Sequence, residues 1–329
     1  MTKKGRLITS VAAVFLAVVV TGGCSSLFGG KKVVTVDVFW DTSLLQNVTR
    51  LTDDGLIKRW PKVSPDGTKM LYNEQAANGQ WNVVLLRDVT VPAKTPLING
   101  DASNPSWYGN SNNFVYVATE RGDNRIIRSA IAGAGRTYVT RNPVGRLDDR
   151  PSVRGEAILF DTDTGGKRQI VSMKDNGTEI TFLGDGSTPS WHPKEPKFLF
   201  IRDHKIYEMD LMSIQVTELY GDSNPNLWCD MPSYSPDGRY ILFQKIAEQR
   251  VTGRANTRVG GILSKTMSVT GSIDRWQIFT MRADGTSLSA VTLSDVNSYH
   301  PSWDANGFMY FVSSASGKPE IYRARINLN

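Results

Sequence analysis

Short apolar runs alternate with tight polar turns along most of this chain, and the spacing is that of β-hairpins. In residues 231–243, a Ser-Pro-Asp-Gly turn separates one β-favouring segment from a second, Tyr-Ile-Leu-Phe. Ser, Pro and Gly stand at the positions that a type I turn prefers. A short apolar run of this kind is typical of a strand that is buried on both faces of a sheet. The pattern therefore predicts a strand, a turn and a second strand.

This unit occurs six times in phase. Each copy is anchored by one proline, and these are Pro61, Pro105, Pro151, Pro189, Pro232 and Pro301. Their spacings are 44, 46, 38, 43 and 69 residues, and the last interval contains an insertion. A period near 40–45 residues is typical of a four-stranded propeller blade. The sequence therefore predicts an all-β fold, a six-bladed β-propeller that occupies residues 33–329 as one domain.

Further apolar segments supply the outer strands of the blades. Third strands are predicted at residues 81–86, 125–130, 168–173, 205–209, 276–281 and 320–324, and fourth strands end at 138–140, 181–183, 218–220 and 290–292.

The sixth copy ends at Ile326, without a fourth strand. Residues 47–52 have the sequence of a fourth-strand ending, and Leu51 lies 10 residues before Pro61, as Val291 lies 10 before Pro301. We therefore expect residues near 33–52 to pair with the last blade and close the ring, which removes its free edges.

The repeat resembles that of TolB-type propellers, which have a Pro-x-Trp-Ser-Pro-Asp-Gly core and a closing Leu-Thr strand. The resemblance covers about residues 45–329. One departure is that TolB has an α/β domain before its propeller, whereas here a short segment precedes the first blade. The resemblance implies the propeller fold. Its implication for function, engagement of a peptidoglycan-associated lipoprotein in the cell envelope, is an analogy between folds.

The N-terminus has the organisation of a secretory signal peptide. Lys3, Lys4 and Arg6 precede an uncharged run over residues 7–20, and small residues follow. The run is shorter than a membrane-spanning helix usually requires. The pattern predicts that residues 1–23 are removed from the mature protein.

The end of this segment resembles the bacterial lipoprotein signal, in which the cysteine after the cut is acylated. Thr21 departs from that signal, which usually has Leu or Val there. The resemblance implies lipidation, with palmitate among the acyl groups, at Cys24, and a lipid-anchored tether over residues 24–32. Ser25 and Ser26 after the cut, with no Asp, imply the periplasmic face of the outer membrane in a Gram-negative cell. A secreted protein with an incidental cysteine is the alternative.

Composition and charge describe an ordinary globular protein and give no indication of nucleic acid as a partner. The chain is 40% hydrophobic and 21% charged, as in an ordinary globular protein. Its net charge of +6 falls to +3 once residues 1–23, with three basic and no acidic residues, are removed. The chain has no basic block interleaved with aromatic residues, the pattern that would indicate nucleic acid as a partner. If Cys24 is acylated, Cys229 is the remaining cysteine and no internal disulfide is expected.

The candidate binding residues lie where the repeats differ. The first strand of each propeller blade is innermost, so the residues before the repeat prolines should rim one mouth of the central channel. They are Trp60, Asn104, Arg150, Thr188, Met231 and His300, with Arg59, Asp149, Asp230 and Tyr299 one step earlier. Either this rim binds a peptide or small polar ligand, or it is a solvated lining with internal ion pairs.

The insertion of the fifth copy, residues 245–275, is a second candidate surface. It carries Arg250, Arg254, Arg258 and Lys265, and it lacks the hydrophobic spacing of a long helix. Residues 265–269 could extend a hairpin. Long insertions are usually functional or disordered. We expect a basic protruding loop that could contact an acidic partner, lipid headgroups or cell-wall polymer, with a tolerated flexible loop as the alternative.

No motif for catalysis is present. The chain has no Gly-x-Ser-x-Gly elbow, His-Glu-x-x-His pair or phosphate-binding glycine loop. His192, His204 and His300 fall at different places in the repeat, so neither a metal nor another cofactor is expected. The sequence favours a non-catalytic envelope scaffold that is anchored to the membrane through Cys24 and binds an envelope protein. The alternative is a periplasmic lyase or hydrolase that acts on carbohydrate or peptide in the channel.

Overall fold

The computed structural model describes residues 44–328, apart from 92, 134, 141–143, 225, 260–261 and 293–295, and for 247–274 it describes the backbone alone. These residues belong to one compact unit, Val36–Asn329. Residues 1–43, including Cys24, the tether and the first part of the predicted closing segment, lie outside the described residues. Within the described part, no helix has the length and apolar character needed to span a bilayer.

The described chain is all-β, and its strands form six four-stranded antiparallel sheets. The first strand is β1 (Leu45–Arg50). The first blade contains β2 (Lys58–Val63), β3 (Met70–Gln75), β4 (Trp81–Leu86) and β5 (Lys94–Ile98). The second contains β6 (Ala102–Tyr108), β7 (Asn113–Glu120), β8 (Asp123–Ala130) and β9 (Thr137–Tyr138). The third contains β10 (Asp149–Arg154), β11 (Ala157–Thr164), β12 (Lys167–Lys174) and β13 (Thr181–Asp185).

The second half of the ring continues the pattern. The fourth blade contains β14 (Ser187–Trp191), β15 (Lys197–Arg202), β16 (Lys205–Asp210) and β17 (Gln215–Tyr220). The fifth contains β18 (Cys229–Tyr234), β19 (Tyr240–Val259), β20 (Ile262–Arg282) and β21 (Ser289–Ala290). The sixth contains β22 (Ser298–Trp303), β23 (Phe308–Ser313), β24 (Glu320–Ile326) and, from the other end of the chain, β1. The six-bladed β-propeller predicted from the repeat is confirmed.

The predicted ring closure is also confirmed. Strand β1 pairs antiparallel with β24, with Leu45 opposite Ile326 and Arg50 opposite Tyr322. The inner strands β2, β6, β10, β14, β18 and β22 contact one another in turn around the ring. Apolar side chains fill the space between blades, as where Tyr72 of the first blade packs in one cluster with Tyr310 of the sixth. The core is therefore a ring of interfaces between blades.

A buried ion pair lies where the two ends of the chain meet. Lys58 is 0% exposed and Glu320 is 2% exposed. The Lys58 Nζ atom is 3.0 Å from Glu320 Oε2, and Asp54 also pairs with this ammonium group. Thr52 Oγ1 and the Gly55 amide donate hydrogen bonds of 2.6 and 2.7 Å to the Glu320 carboxylate. The segment between β1 and β2 is thereby attached to β24.

Replacement of Glu320 should weaken this closure. Glu320→Gln leaves the Lys58 charge buried with a single carboxylate, so we expect the free energy of unfolding to fall by about 3 kcal/mol. Urea denaturation measures this change. The double variant Lys58→Met/Glu320→Gln should regain part of the loss, because it also removes the unpaired charge. Single variants that each changed stability by less than about 0.5 kcal/mol would contradict this role for the pair.

Two of the predicted fourth strands are shorter than expected. The ladder pairing ends at Tyr138 in β9 and at Ala290 in β21. The next residues, Val139 and Val291, are each 2% exposed. The hydroxyl of the following threonine then accepts a backbone hydrogen bond, 2.8 Å long at Thr140 and 2.9 Å at Thr292. The Val139 and Val291 amides still donate to the Ile126 and Ile278 carbonyl oxygens, and the threonine hydroxyl replaces a carbonyl oxygen as the next acceptor.

The fourth strand of the first blade, β5, was not predicted because it contains Pro96. This proline is opposite Val84 at the outer edge of the sheet. An edge strand tolerates proline because the missing N–H would face solvent rather than another strand.

The insertion of the fifth blade is a long hairpin rather than an irregular loop. Strands β19 and β20 pair without a break in the ladder, apart from one register shift, as far as Val259 opposite Ile262. Strands β18 and β21 pair only with the base of this hairpin. The pairing of β18 with β19 extends as far as Lys245, and that of β21 with β20 as far as Phe279. We call residues 247–275 the arm. Arg250, Arg254, Arg258 and Lys265 lie along it, and their side chains lie outside the described residues.

Removal of the arm should leave the propeller intact. Glu248 is opposite Asp274, so residues 249–273 can be replaced by Asn-Gly, the preferred two-residue hairpin turn. We expect cooperative thermal unfolding, with a midpoint within about 3 °C of the intact protein, because the paired base of the blade is retained. Leu242→Ala, which truncates a side chain that is 0% exposed, is the destabilising reference. Loss of cooperative unfolding in the shortened protein would show that the arm supports the fold.

Candidate functional site: the mouth of the channel

Each residue before a repeat proline has a positive φ angle. The angles are 51° at Trp60, 47° at Asn104, 50° at Arg150, 49° at Thr188, 55° at Met231 and 54° at His300. Left-handed backbone costs an L-residue roughly 1–2 kcal/mol, and it is least expected at a β-branched residue such as Thr188. The register of every inner strand also shifts at this position. The channel is therefore surrounded by six equivalent β-bulges.

Neighbouring side chains accept hydrogen bonds from the backbone of these bulges. The Thr188 amide donates to Asp161 at 2.9 Å, and the His300 amide donates to Gln244 at 2.6 Å. The amides of Arg150 and Trp60 donate to Asp149 at 2.9 Å and to the Nδ1 atom of His300 at 3.4 Å. Several polar residues of the rim therefore stabilise the bulges.

Sequence reasoning missed Asp161 and Gln244, although a signal was present. Each directly follows the apolar run of its second strand, and each is almost fully buried, at 0% and 3% exposed. Asn73 has the same place in the first blade, and its amide donates to the Ala102 carbonyl oxygen of the next blade at 2.6 Å. A polar residue at the end of a buried apolar run marks the attachment of one blade to the next.

Acidic groups gather on one side of the channel around Arg150. Its guanidinium lies 3.5 Å from Asp161 and 3.9 Å from Asp149, and Arg168 binds Asp161 at 2.6 Å. Burial raises the pKa of Asp161 to about 6, and Arg150 opposes that rise. Burial also raises the pKa of Asp230, again against the attraction of Arg150. This side fits the internal ion-pair interpretation of the rim.

The opposite side, between the sixth and first blades, is different. Arg59 is exposed, and its guanidinium lies 4.5 Å from the ring centroid of Trp81 and 5.7 Å from that of Trp60. Burial lowers the pKa of His300 well below its ordinary value, and the positive charges of Arg59, Lys62 and Arg150 lower it further. His300 is thus a neutral ring at pH 7. Arg59 has no ion pair with any carboxylate of the described chain.

A cavity of about 80 Å³ lies inside the channel, on the side of Arg150. Asn104, Arg150, Thr188 and Met231 line it, together with prolines and serines of their blades and Lys62 of the first blade. Lys62 was not among the predicted site residues. The signal for it was its position, because the other five copies have serine directly after the repeat proline. Burial lowers the pKa of Lys62 to about 8.

The predicted rim residues thus fall into two groups. Arg59, Trp60, Tyr299 and His300 form one, with ring centroids of His300 5.2 Å from Trp60 and 4.8 Å from Tyr299. The other surrounds Arg150, and in it the Asn104 amide donates to Asp149 at 2.7 Å. Thr188 and Met231 line the cavity beside this second group.

The three histidines lie in three separate environments. His192 is buried in the turn after β14, where its Nδ1 atom accepts a 2.8 Å hydrogen bond from the Glu195 amide. His204 lies in the β15–β16 turn and stacks on Trp228, with centroids 4.1 Å apart, and His300 lies in the channel. Among the described residues, no group of His, Cys, Asp and Glu has the spacing of a metal site. Cys229 is buried, which raises the pKa of its thiol to about 12.

The low pKa of Lys62 makes a prediction for stability. The unfolded state keeps the proton up to about pH 10.5, whereas the folded state releases it near pH 8, so the folded state binds fewer protons between these values. The charged amine therefore destabilises the fold fully below pH 8, and this effect disappears as the pH rises to 10.5. We expect Lys62→Met to be more stable than the wild type at pH 7, by a difference that shrinks towards pH 10.5.

Urea denaturation at several pH values measures this difference, and Lys167→Met, at an exposed position, is the control. A difference between the wild type and Lys62→Met that stayed constant from pH 7 to pH 10.5 would contradict the lowered pKa.

Fold and site together define a six-bladed β-propeller with an electrostatically two-sided channel mouth. No protein-family profile and no curated protein matches the sequence. Among solved structures, TolB from Acinetobacter baumannii is similar, with 14% identity and a TM-score of 0.52 over 84% of this chain and 67% of that one.

Two enzymes are also similar in structure. The gluconolactonase XC5397 from Xanthomonas campestris has 12% identity and a TM-score of 0.60 over 86% of this chain and 91% of that one. The oligogalacturonate lyase from Vibrio parahaemolyticus has 12% identity and a TM-score of 0.52 over 89% and 98%. At such identities the likeness establishes the fold, which suits both binding proteins and enzymes.

Proposed function

We propose that the protein is a non-catalytic scaffold of the bacterial cell envelope that binds a protein partner at the channel mouth. The observation that carries this proposal is the side of the rim between the first and sixth blades. There Arg59 is exposed beside Trp60, Trp81 and Tyr299, and its charge is not used in an internal ion pair. Arginine and tryptophan are the residues that most often dominate protein interfaces.

The titratable groups of the rim support binding rather than acid–base catalysis. Asp161 is fully buried and pairs with Arg150. His300 is half-buried and neutral, and it accepts a hydrogen bond at Nδ1 from the Trp60 amide. A general acid or base needs a pKa near the working pH and access to the substrate. These groups serve the bulges instead.

The cellular setting rests on the N-terminal sequence. Acylation of Cys24 would hold the propeller at the periplasmic face of the outer membrane, within reach of other envelope proteins. By analogy with TolB-like propellers, a peptidoglycan-associated lipoprotein is the first partner to test.

One observation favours the alternative, a periplasmic lyase or hydrolase that acts on carbohydrate or peptide. Lys62 has an amine of low pKa in a channel cavity, and such an amine can act as a base. Structural neighbours that are a lyase and a lactonase make this class worth testing.

Crosslinking in intact envelopes, followed by purification of the protein, tests the proposal. We expect a stoichiometric protein partner from the wild type, and Arg59→Ala should reduce its recovery about tenfold if Arg59 is a dominant contact. Arg87→Ala is the matched control, because Arg87 is an exposed arginine next to the opposite end of the same blade, after β4.

Equal recovery from the wild type and Arg59→Ala would overturn the assigned surface. Absence of any partner, together with Lys62-dependent turnover of an oligosaccharide or peptide, would replace the scaffold with the enzyme.

A further inference from the structure

Lys62 breaks the regularity of a ring of serines. The residue directly after the repeat proline is serine in five blades, Ser106, Ser152, Ser190, Ser233 and Ser302, and lysine in the first. The first four of these serines line the same cavity as Lys62. The channel therefore contains a ring of hydroxyl groups with one ammonium group among them.

Several of these groups have no partner within the described chain. The Oγ atom of Ser233, which lines the cavity, is buried without a hydrogen bond, as is that of Ser302 in the sixth blade, outside the cavity lining. The hydroxyl of Ser152 accepts a 3.2 Å bond from the Trp191 amide, which leaves its own proton free to donate. Unsatisfied donors in a cavity are typical of a site that binds a polar ligand.

The Lys62 ammonium group also has no hydrogen bond or ion pair in the described chain. Lys62 is half-buried, and two buried lysines show the usual arrangement. Lys58 binds Glu320 at 3.0 Å, and Lys245 binds Asp222 at 2.5 Å. A lysine that is shielded from water normally has a carboxylate partner, so an anion is the kind of ligand that Lys62 would favour.

The surrounding charges favour an anion as well. Arg59 and Lys62 both act on His300, so two positive charges lie near each other in this part of the channel. The carboxylates of Asp149, Asp161 and Asp230 are engaged with Arg150 on the far side. Positive charge is therefore left in excess around Lys62 and Arg59.

We propose that Lys62 and the ring of serine hydroxyls bind a carboxylate group, which belongs either to a small acid or to the C-terminal end of a partner peptide. A volume of about 80 Å³ accommodates a carboxylate with a few further atoms, since one water molecule takes about 30 Å³. The rest of a peptide would extend from the cavity along the channel. The peptide form of this inference rests on the proposed function, whereas the carboxylate site does not.

Calorimetric titration of the purified protein tests this site with sodium acetate, triglycine and triglycine amide. We expect acetate and triglycine to bind and triglycine amide to bind at least about tenfold more weakly, because it lacks the charge that meets the ammonium. Similar affinities for acetate and triglycine identify a small acid as the ligand. Tighter binding of triglycine identifies a chain end.

Lys62→Ser is the decisive variant, because it gives the first blade the residue that the other five blades carry and should fold normally. We expect it to weaken acetate or triglycine binding at least about tenfold, and to raise the thermal unfolding midpoint measured without these ligands, because the poorly solvated charge is removed. Lys69→Ser, in the β2–β3 turn, is the control and should bind as the wild type does, because the Lys69 ammonium group is already paired with Asp66 at 3.1 Å.

The proposal is overturned if the wild type and Lys62→Ser bind triglycine equally, if triglycine and its amide bind equally, or if inorganic phosphate binds and acetate does not. These outcomes are separate from those of the crosslinking experiment. An Arg59-dependent partner with no carboxylate binding would leave the scaffold in place and remove this site.

Discussion

The left-handed residue before each repeat proline is the constraint on which the channel depends. It interrupts the ladder of every inner strand at the same height, and polar side chains then accept the hydrogen bonds of the displaced amides. This arrangement costs backbone energy six times, and it persists because the blades on both sides hold it. As a result, the channel is lined by polar groups from neighbouring blades, so a change at one position affects two blades.

The charge distribution in the channel is uneven because the charged residues of the six blades do not all have partners of opposite charge. Around Arg150, opposite charges meet at 3.5 Å and 3.9 Å, and the region needs no further partner. Around Arg59 and Lys62, positive charge faces aromatic rings, serine hydroxyls and a neutral His300. The side around Arg150 stabilises the ring, and the side around Arg59 and Lys62 has charged and polar groups that are available to bind a ligand. The closure of the ring does not use these charges, since it depends on the pair of Lys58 with Glu320 and the pairing of β1 with β24.

Most of the fold could be predicted from the sequence, because its determinants are local and repeated. Proline, the Asp-Gly and Asn-Gly turns and apolar runs recur at a nearly constant spacing, and each acts over a few residues. Pro96 concealed β5, and the Val-Thr endings of the second and fifth blades were read as longer strands. In both cases the pairing with the third strand of the blade determined the extent of the fourth strand. The arm differs for a related reason, since its two strands pair only with each other and show no alternation strong enough to predict 20 residues of β19.

The sequence by itself determined the number of blades, the closure of the ring and the positions at which the blades disagree. It placed ten candidate residues around a channel mouth but could not show which of them are paired with opposite charges and which are available for binding. Only the tertiary structure showed that Arg150 is neutralised by Asp149 and Asp161, residues 1 and 11 positions away along the chain, while Arg59 and Lys62 are not neutralised. The physical reason is that charge pairing and desolvation depend on which side chains come within a few ångströms of each other and on how deeply they are buried, whereas turns and strands depend on their immediate neighbours.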